Sequence, residues 1–299
     1  MWKWFSRWVV VLALLLACVR IADLVSRRGP QLPPLPADNV YPRLLASAGT
    51  VEIPGGDVSM MTETEVRRLS AANRDHLLLV HADVRGESGV PLSTTRGWVE
   101  THAVEQRSFK RLAAALGVQA RAEELEGRTN GVAAAWLDLL LLGPAMSRSG
   151  ILSDSLSGLA LESVGLMGLR PMVPSLDAAF CRSAAQDLEK LEARRDAPTR
   201  VLETEANWSR VSFGLVDVFG GLLRGSGKAR REAEFAQRHH PVVRRTRLLA
   251  LQLAARALEL ERGTPVKTAD EVVPAVLKAV PLDPESGKPL ELPTTLRGG

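Results

Sequence analysis

The chain has 299 residues, 45% of them hydrophobic and 24% charged, with a formal net charge of +4. These are the proportions of an ordinary globular protein, long enough to bury a substantial core and to allow roughly two average domains. Lys and Arg are interspersed with Asp and Glu and are not clustered with aromatics, which excludes a nucleic-acid-binding footprint.

The N-terminus opens on an apolar run, Trp8 to Val19, with Lys3 and Arg7 before it and Arg20, Arg27 and Arg28 after it. Extended by flanking apolar residues, it reaches the roughly 20 residues that a bilayer-spanning helix needs. Residues 1–28 are therefore expected to form a single-pass signal anchor that contacts the lipid bilayer through residues 8–25. A basic start of this kind usually translocates the chain beyond it, so the remaining residues are expected outside the cytoplasm. Two alternatives stand beside this one. Leu15-Leu16-Ala17-Cys18 is similar to a bacterial lipobox, with Cys18 as the lipidated residue, and the run could also be a buried helix. Cys181 falls in a predicted helix far from Cys18, so no disulfide is expected.

Residues 29–60 are expected to be a Pro-rich linker. Pro30, Pro33, Pro34, Pro36 and Pro42 favour extended chain. Pro33 to Pro36 matches a PxxP ligand or a plain spacer, and Pro54-Gly55-Gly56 marks a turn.

A helical domain is expected over 61–262, because aromatics are scarce at 4% while Ala, Leu, Arg and Glu abound. Thr62 to Glu65 forms a capping box. Val66, Leu69, Asn73, Leu77, Val80 and Val84 then share one stripe, with Asn73 as its polar member, suited to a ligand or a neighbouring backbone. His76 and His81 point to different faces and cannot form a helical metal pair. Further helices are expected over 103–126, closed by Gly127, over 132–142, ending at Gly143-Pro144, and over 151–169, closed by Pro171. The last of these carries Ser157, Gly158, Gly165 and Gly168, which permit close helix approach. Asp154 and Glu162 mark it as a packed helix and not a second span. Ser175 is expected to cap the next helix, with Leu176, Phe180, Ala184, Leu188 and Leu191 inward. Thr199 is expected to cap another, with Leu202, Trp208, Leu215, Phe219 and Leu222 inward. Pro241 suits the first turn of the last long helix and Gly263 its end. The tail, 263–299, is expected to be an extended Pro-rich strap with a short helix near 268–278. The expected fold is thus all-α: an N-terminal transmembrane helix, an irregular antiparallel helical array and a C-terminal strap.

Several segments resemble known families. The helix Arg247 to Glu261, with Ala269-Asp270-Glu271-Val272-Val273-Pro274 and Pro281-Leu282-Asp283-Pro284 beyond it, is similar to the ending of membrane-anchored, uncharacterised helical proteins of planctomycete-type bacteria. That family also shows an N-terminal anchor, a Pro-rich spacer and an Asn in an early helix, Asn73 here. The tail also resembles that of type II secretion pseudopilins. By that resemblance, Asp283 and Glu285 would supply oxygen ligands to calcium; the plain reading is a proline-rigidified turn. A Gly-Phe prepilin cleavage motif and an acidic residue in the apolar run are both missing. Phe109 to Gly168 resembles tetratricopeptide-type hairpins in degenerate form.

P-loop, GxGxxG, HExxH, CxxC and GxSxG motifs are absent. No catalytic, cofactor or metal residue is assigned. His239-His240 beside Lys228, Arg230, Arg231 and Arg238 reads as an anion or metal patch or a solvated helix end. Glu123, Glu124, Glu203 and Glu205 read as surface charges. Phe213 to Arg231 reads as an interfacial helix or as a core helix ending in a Gly-Ser-Gly loop. The expected function is a membrane-tethered extracytoplasmic scaffold that binds a protein partner on its helical array. The alternatives are a component of an envelope or secretion assembly and a hydrolase with dispersed acid and base residues.

Overall fold

The computed structural model describes residues 16–22, 32–95, 97–213 and 227–292. Among the described residues the regular structure is helical and no strand is present; a single bridge pairs Leu282 with Pro289. The all-α expectation holds. Residues 16–22 are helical and exposed. The rest of the anchor read over 8–25 lies outside the described residues, and among the described residues no helix is long and apolar enough to cross a membrane.

The elements are α1 (Tyr41–Thr50), α2 (Glu63–Asp83), α3 (Trp98–Leu125), α4 (Thr129–Ala145), α5 (Leu152–Leu169), α6 (Ala178–Ala193), α7 (Pro198–Phe213) and α8 (Gly227–Arg262). Short 3₁₀ turns lie at Val58–Met60, Arg170–Ser175 and Ala269–Val272. Each helix packs against its successor or near-successor. The most extensive pairs are α4 with α5, α6 with α8 and α3 with α4.

The linker read over 29–60 is not extended throughout. Pro42 sits in the first turn of α1, where its missing N–H has no intrahelical role. α1 then buries Tyr41, Leu44 and Ala48, followed by Val51, in the main core. The Tyr41 ring meets Phe109 edge-on at 5.2 Å. The Asn39 amide brackets Gly89, donating to its carbonyl at 2.8 Å and accepting from its N–H at 2.9 Å.

α2 begins at Thr62, whose hydroxyl accepts from the Glu65 N–H. The stripe from Val66 to Val84 is buried as expected. Asn73 clamps the loop after α1: it accepts from the Glu52 N–H and donates to the Glu52 carbonyl, both at 2.8 Å.

The α4–α5 pair crosses at very short range. Gly143 and Gly158 face each other, and a Cβ on Gly158 would lie 2.6 Å from the Gly143 carbonyl. A Cβ on Gly165 would lie 2.6 Å from the Leu140 nitrogen. α4 runs through Gly143-Pro144 to Ala145, because a proline near a helix end sacrifices few hydrogen bonds. Asp177, and not Ser175, caps α6, accepting from the Phe180 N–H at 2.7 Å; Ser175 is held in the preceding 3₁₀ turn. Pro198 opens α7, ahead of Thr199.

α8 spans Gly227 to Arg262 with Pro241 in its interior, not at its start. It is covered by α5, α6, α7 and the tail's 3₁₀ turn, which accounts for its two apolar stripes. Gly263, at φ +69°, ends it as expected. The tail lies over the helices, burying Val266, Val272, Val276, Leu277 and Leu290. Arg182 donates to the Ala275 carbonyl, and Arg247 donates to that of Leu282.

Candidate functional site

Two concave features stand out, one charged and one apolar. The charged one is a cavity of about 150 Å³ where the ends of α2, α4 and α6 meet the sides of α5, α7 and α8. Glu162 is its deepest acid. It projects from α5 and is 1% exposed. Arg195, in the α6–α7 turn, donates to both its oxygens at 2.9 and 2.7 Å. Arg195 also pairs with Glu192, which Arg247 engages in turn at 2.7 Å. Burial pushes the Glu162 carboxyl above the usual carboxylate range, against the opposing pull of Arg195. A second chain of charges links α2, α4 and α6: Arg85 donates to Asp138 at 2.7 Å and to Asp187 at 2.8 Å, and His81 also meets Asp138.

His239 enters the cavity from α8. It is buried, not a solvated helix end, because α8 continues through Pro241 and the helix one turn earlier is anchored by buried Phe235. Burial first, then the Arg195 guanidinium, pushes its pKa down to about 3. Its Nδ1 has no partner among the described residues.

The acids and hydroxyls of this cavity are mostly engaged elsewhere. Asp196 accepts from the Ser149 N–H at 2.7 Å. Ser88 and Ser147 donate to the carbonyls of Ala145 and Gly143. The arrangement is therefore one of ion pairs around a small space, without the hydroxyl-to-base hydrogen bond of an activated nucleophile.

A separate polar cluster surrounds His102 on α3, which is 4% exposed. Its Nδ1 meets Glu105 at 2.9 Å and its Nε2 meets Asp154 at 2.6 Å. Trp98 stacks on the ring at 4.4 Å. Burial works against the charged ring, but Asp154 and Glu105 outweigh it and hold the pKa above its ordinary 6.5. With both nitrogens occupied by carboxylates, His102 fastens α3 to the start of α5. Asp154 also accepts from the Ile151 N–H, and Glu205 accepts from that of Leu152, so two acids cap α5.

The apolar feature is a groove of about 920 Å³ on the outer face of α3, α4 and α5. Ala113, Ala114, Gly117 and Ala120 form one wall, and Val132, Trp136 and Val164 line the other side. Arg121 and Glu124, paired with each other, stand on its rim. A Cβ on Gly117 would meet nothing within 4 Å.

The other residues singled out from the sequence have mostly local partners. Asn73 serves the backbone. His76 meets Thr50 and His81 meets Asp138, on different faces. Glu124 and Glu203 are exposed, but Glu123 is buried against Arg128 and Gln119, and Glu205 is a cap. Asp283 accepts from the Glu285 and Ser286 N–H groups and pairs with Arg244, so its oxygens are taken up by the turn. Among the described residues no group of three or more His, Cys, Asp or Glu is placed to hold a metal ion. The cysteines are free; Cys18 is exposed, and burial pushes the Cys181 thiol up to about 11. Positions 214–226 of the Phe213 to Arg231 stretch lie outside the described residues.

Sequence reasoning did not single out Arg195 or His102. The signal for them was Asp154 and Glu162 inside a helix otherwise rich in apolar and small residues, since charges so placed must be paired when buried. Comparison with known protein families, with curated proteins and with solved structures finds no match to this chain.

Proposed function

We propose that this protein is a membrane-tethered, non-catalytic helical scaffold that holds an amphipathic helix of a partner protein in the α3–α5 groove. The groove carries the reading. Its small-residue wall lets another backbone come close, and Trp136 offers a flat apolar anchor, the features of helix-in-groove recognition. Gly117 adds weight. A glycine inside a helix costs about 0.5–1 kcal/mol relative to alanine, and here no neighbour in the chain requires its lack of a side chain. The short turns joining α3, α4 and α5 support reading them as antiparallel hairpins of a degenerate tetratricopeptide-like array. The apolar run over 8–25 with its basic flanks supports the tether, and the Pro-rich stretch after it supports a domain held off an extracytoplasmic membrane face.

A photo-crosslinking residue at Ala114 in the full-length chain in membranes tests the groove. The expected result is one discrete adduct that Gly117→Leu removes and Gly117→Ala retains. An adduct equally strong from exposed Leu260, or one that survives Gly117→Leu, overturns the groove as the docking site. Membrane fractionation with mass measurement at Cys18 tests the tether. Release of the unmodified full chain by carbonate washing overturns it.

A further inference from the structure

We propose that the charged cavity at the converging helix ends is a binding site for a small hydroxylated carboxylate with a ring-sized apolar body. This site is separate from the groove on α3–α5 and does not depend on it.

Size sets the scale of the ligand. The cavity's volume of about 150 Å³ is that of a space which holds a benzene-sized body, here partly open and edged by charged side chains. The mouth supplies the anion's partner. Arg148 and Arg194 both pair with Glu87, at 2.9 and 3.0 Å, so two guanidiniums share one carboxylate. Arg148 and Arg194, 29% and 36% exposed, line the cavity, and Glu87, 45% exposed, lies beside its lining. Arg194 also donates to the carbonyls of Arg85 and Gly86, so Arg148 carries the less engaged fork, which can take a second carboxylate in a charge-assisted hydrogen bond.

The walls supply the apolar contact. Leu141, Leu159, Leu191 and Phe235 line the space between mouth and interior. On the inner side stands His239, 7% exposed, with Nδ1 unpartnered among the described residues. Buried polar atoms are rarely left without a partner, because each has lost its water. With the ring neutral and its proton on Nε2, Nδ1 is a hydrogen-bond acceptor. The matching ligand group is a hydroxyl remote from the carboxylate. The three features select one chemistry: anion outward, apolar body between, donor inward.

Calorimetric titration of the full chain with 4-hydroxybenzoate, benzoate and phenol tests this. 4-Hydroxybenzoate is expected to bind saturably. Benzoate and phenol, each lacking one handle, are expected to bind at least about tenfold more weakly. His239→Leu is expected to reduce 4-hydroxybenzoate to the affinity of benzoate. Arg148→Gln is expected to weaken both carboxylates and leave phenol unchanged. Circular dichroism confirms that each variant is folded. Two results with the folded wild-type protein, needing no variant, overturn the proposal: absence of saturable 4-hydroxybenzoate binding, or equal affinity for 4-hydroxybenzoate and benzoate.

Discussion

His102 and His239 are both buried, yet their surroundings push them in opposite directions. His102 lies between two carboxylates, so its folded pKa is above the ordinary 6.5. Its contribution to stability is full below pH 6.5 and is lost as pH rises through the folded value. His239 faces Arg195, His240 and Arg247 and is held neutral down to about pH 3. Its contribution is present above pH 6.5 and is lost as pH falls toward 3, by an amount on the order of 2–4 kcal/mol. Urea midpoints measured from pH 4 to 9 are expected to show both slopes. His239→Leu is expected to flatten the acid side and His102→Gln the alkaline side. A His239→Leu protein with the wild-type acid slope would show that another group controls acid stability. The two asparagines work differently, since each side-chain amide closes a two-way hydrogen bond onto one peptide unit, Asn73 on Glu52 and Asn39 on Gly89. Asn73 could be recognised in the sequence as the polar member of an apolar stripe. Its partner could not, because the loop that approaches it is placed by α1.

At the scale of elements, the glycines of α3 and α5 have opposite roles. Gly165 lies against the backbone of Leu140, so even a methyl group must push the two helices apart. Gly165→Ala is expected to destabilise by about 1–3 kcal/mol, the usual cost of overpacking. Gly117 faces open space, so Gly117→Ala is expected to stabilise by about 0.5–1 kcal/mol through helix propensity alone. Chemical denaturation of both variants checks the pair; stabilisation by Gly165→Ala would refute the close crossing. The small residues of α5 were legible as a close-packing surface, but not which helix they receive. Pro241 shows the reverse problem. Its ring suits a helix start, and only the packing around Phe235 and His239 carries the helix through it.

The whole molecule depends on its tail. Val266, Val272, Leu277 and Leu290 of the strap are buried against the helices, and a fully buried Val or Leu contributes about 1.5–3 kcal/mol. Their sum is comparable to the total stability of a domain, about 5–15 kcal/mol. A chain ending at Gly263 is expected to lose cooperative unfolding and to bind an apolar dye. Unfolding at the wild-type denaturant midpoint would show that the strap adds nothing.

The sequence by itself determined the helical class, most helix positions, the stop at Gly263 and the buried stripe of α2. These arise from short-range chemistry: periodicity, caps and backbone propensity act within a few residues. Tertiary structure decided which charges are buried and with whom. Glu162 meets Arg195, Asp154 meets His102, and His239 has a ring nitrogen without a partner among the described residues because distant segments converge there. Such pairing depends on through-space distances and exclusion of water, which residue spacing along the chain does not encode.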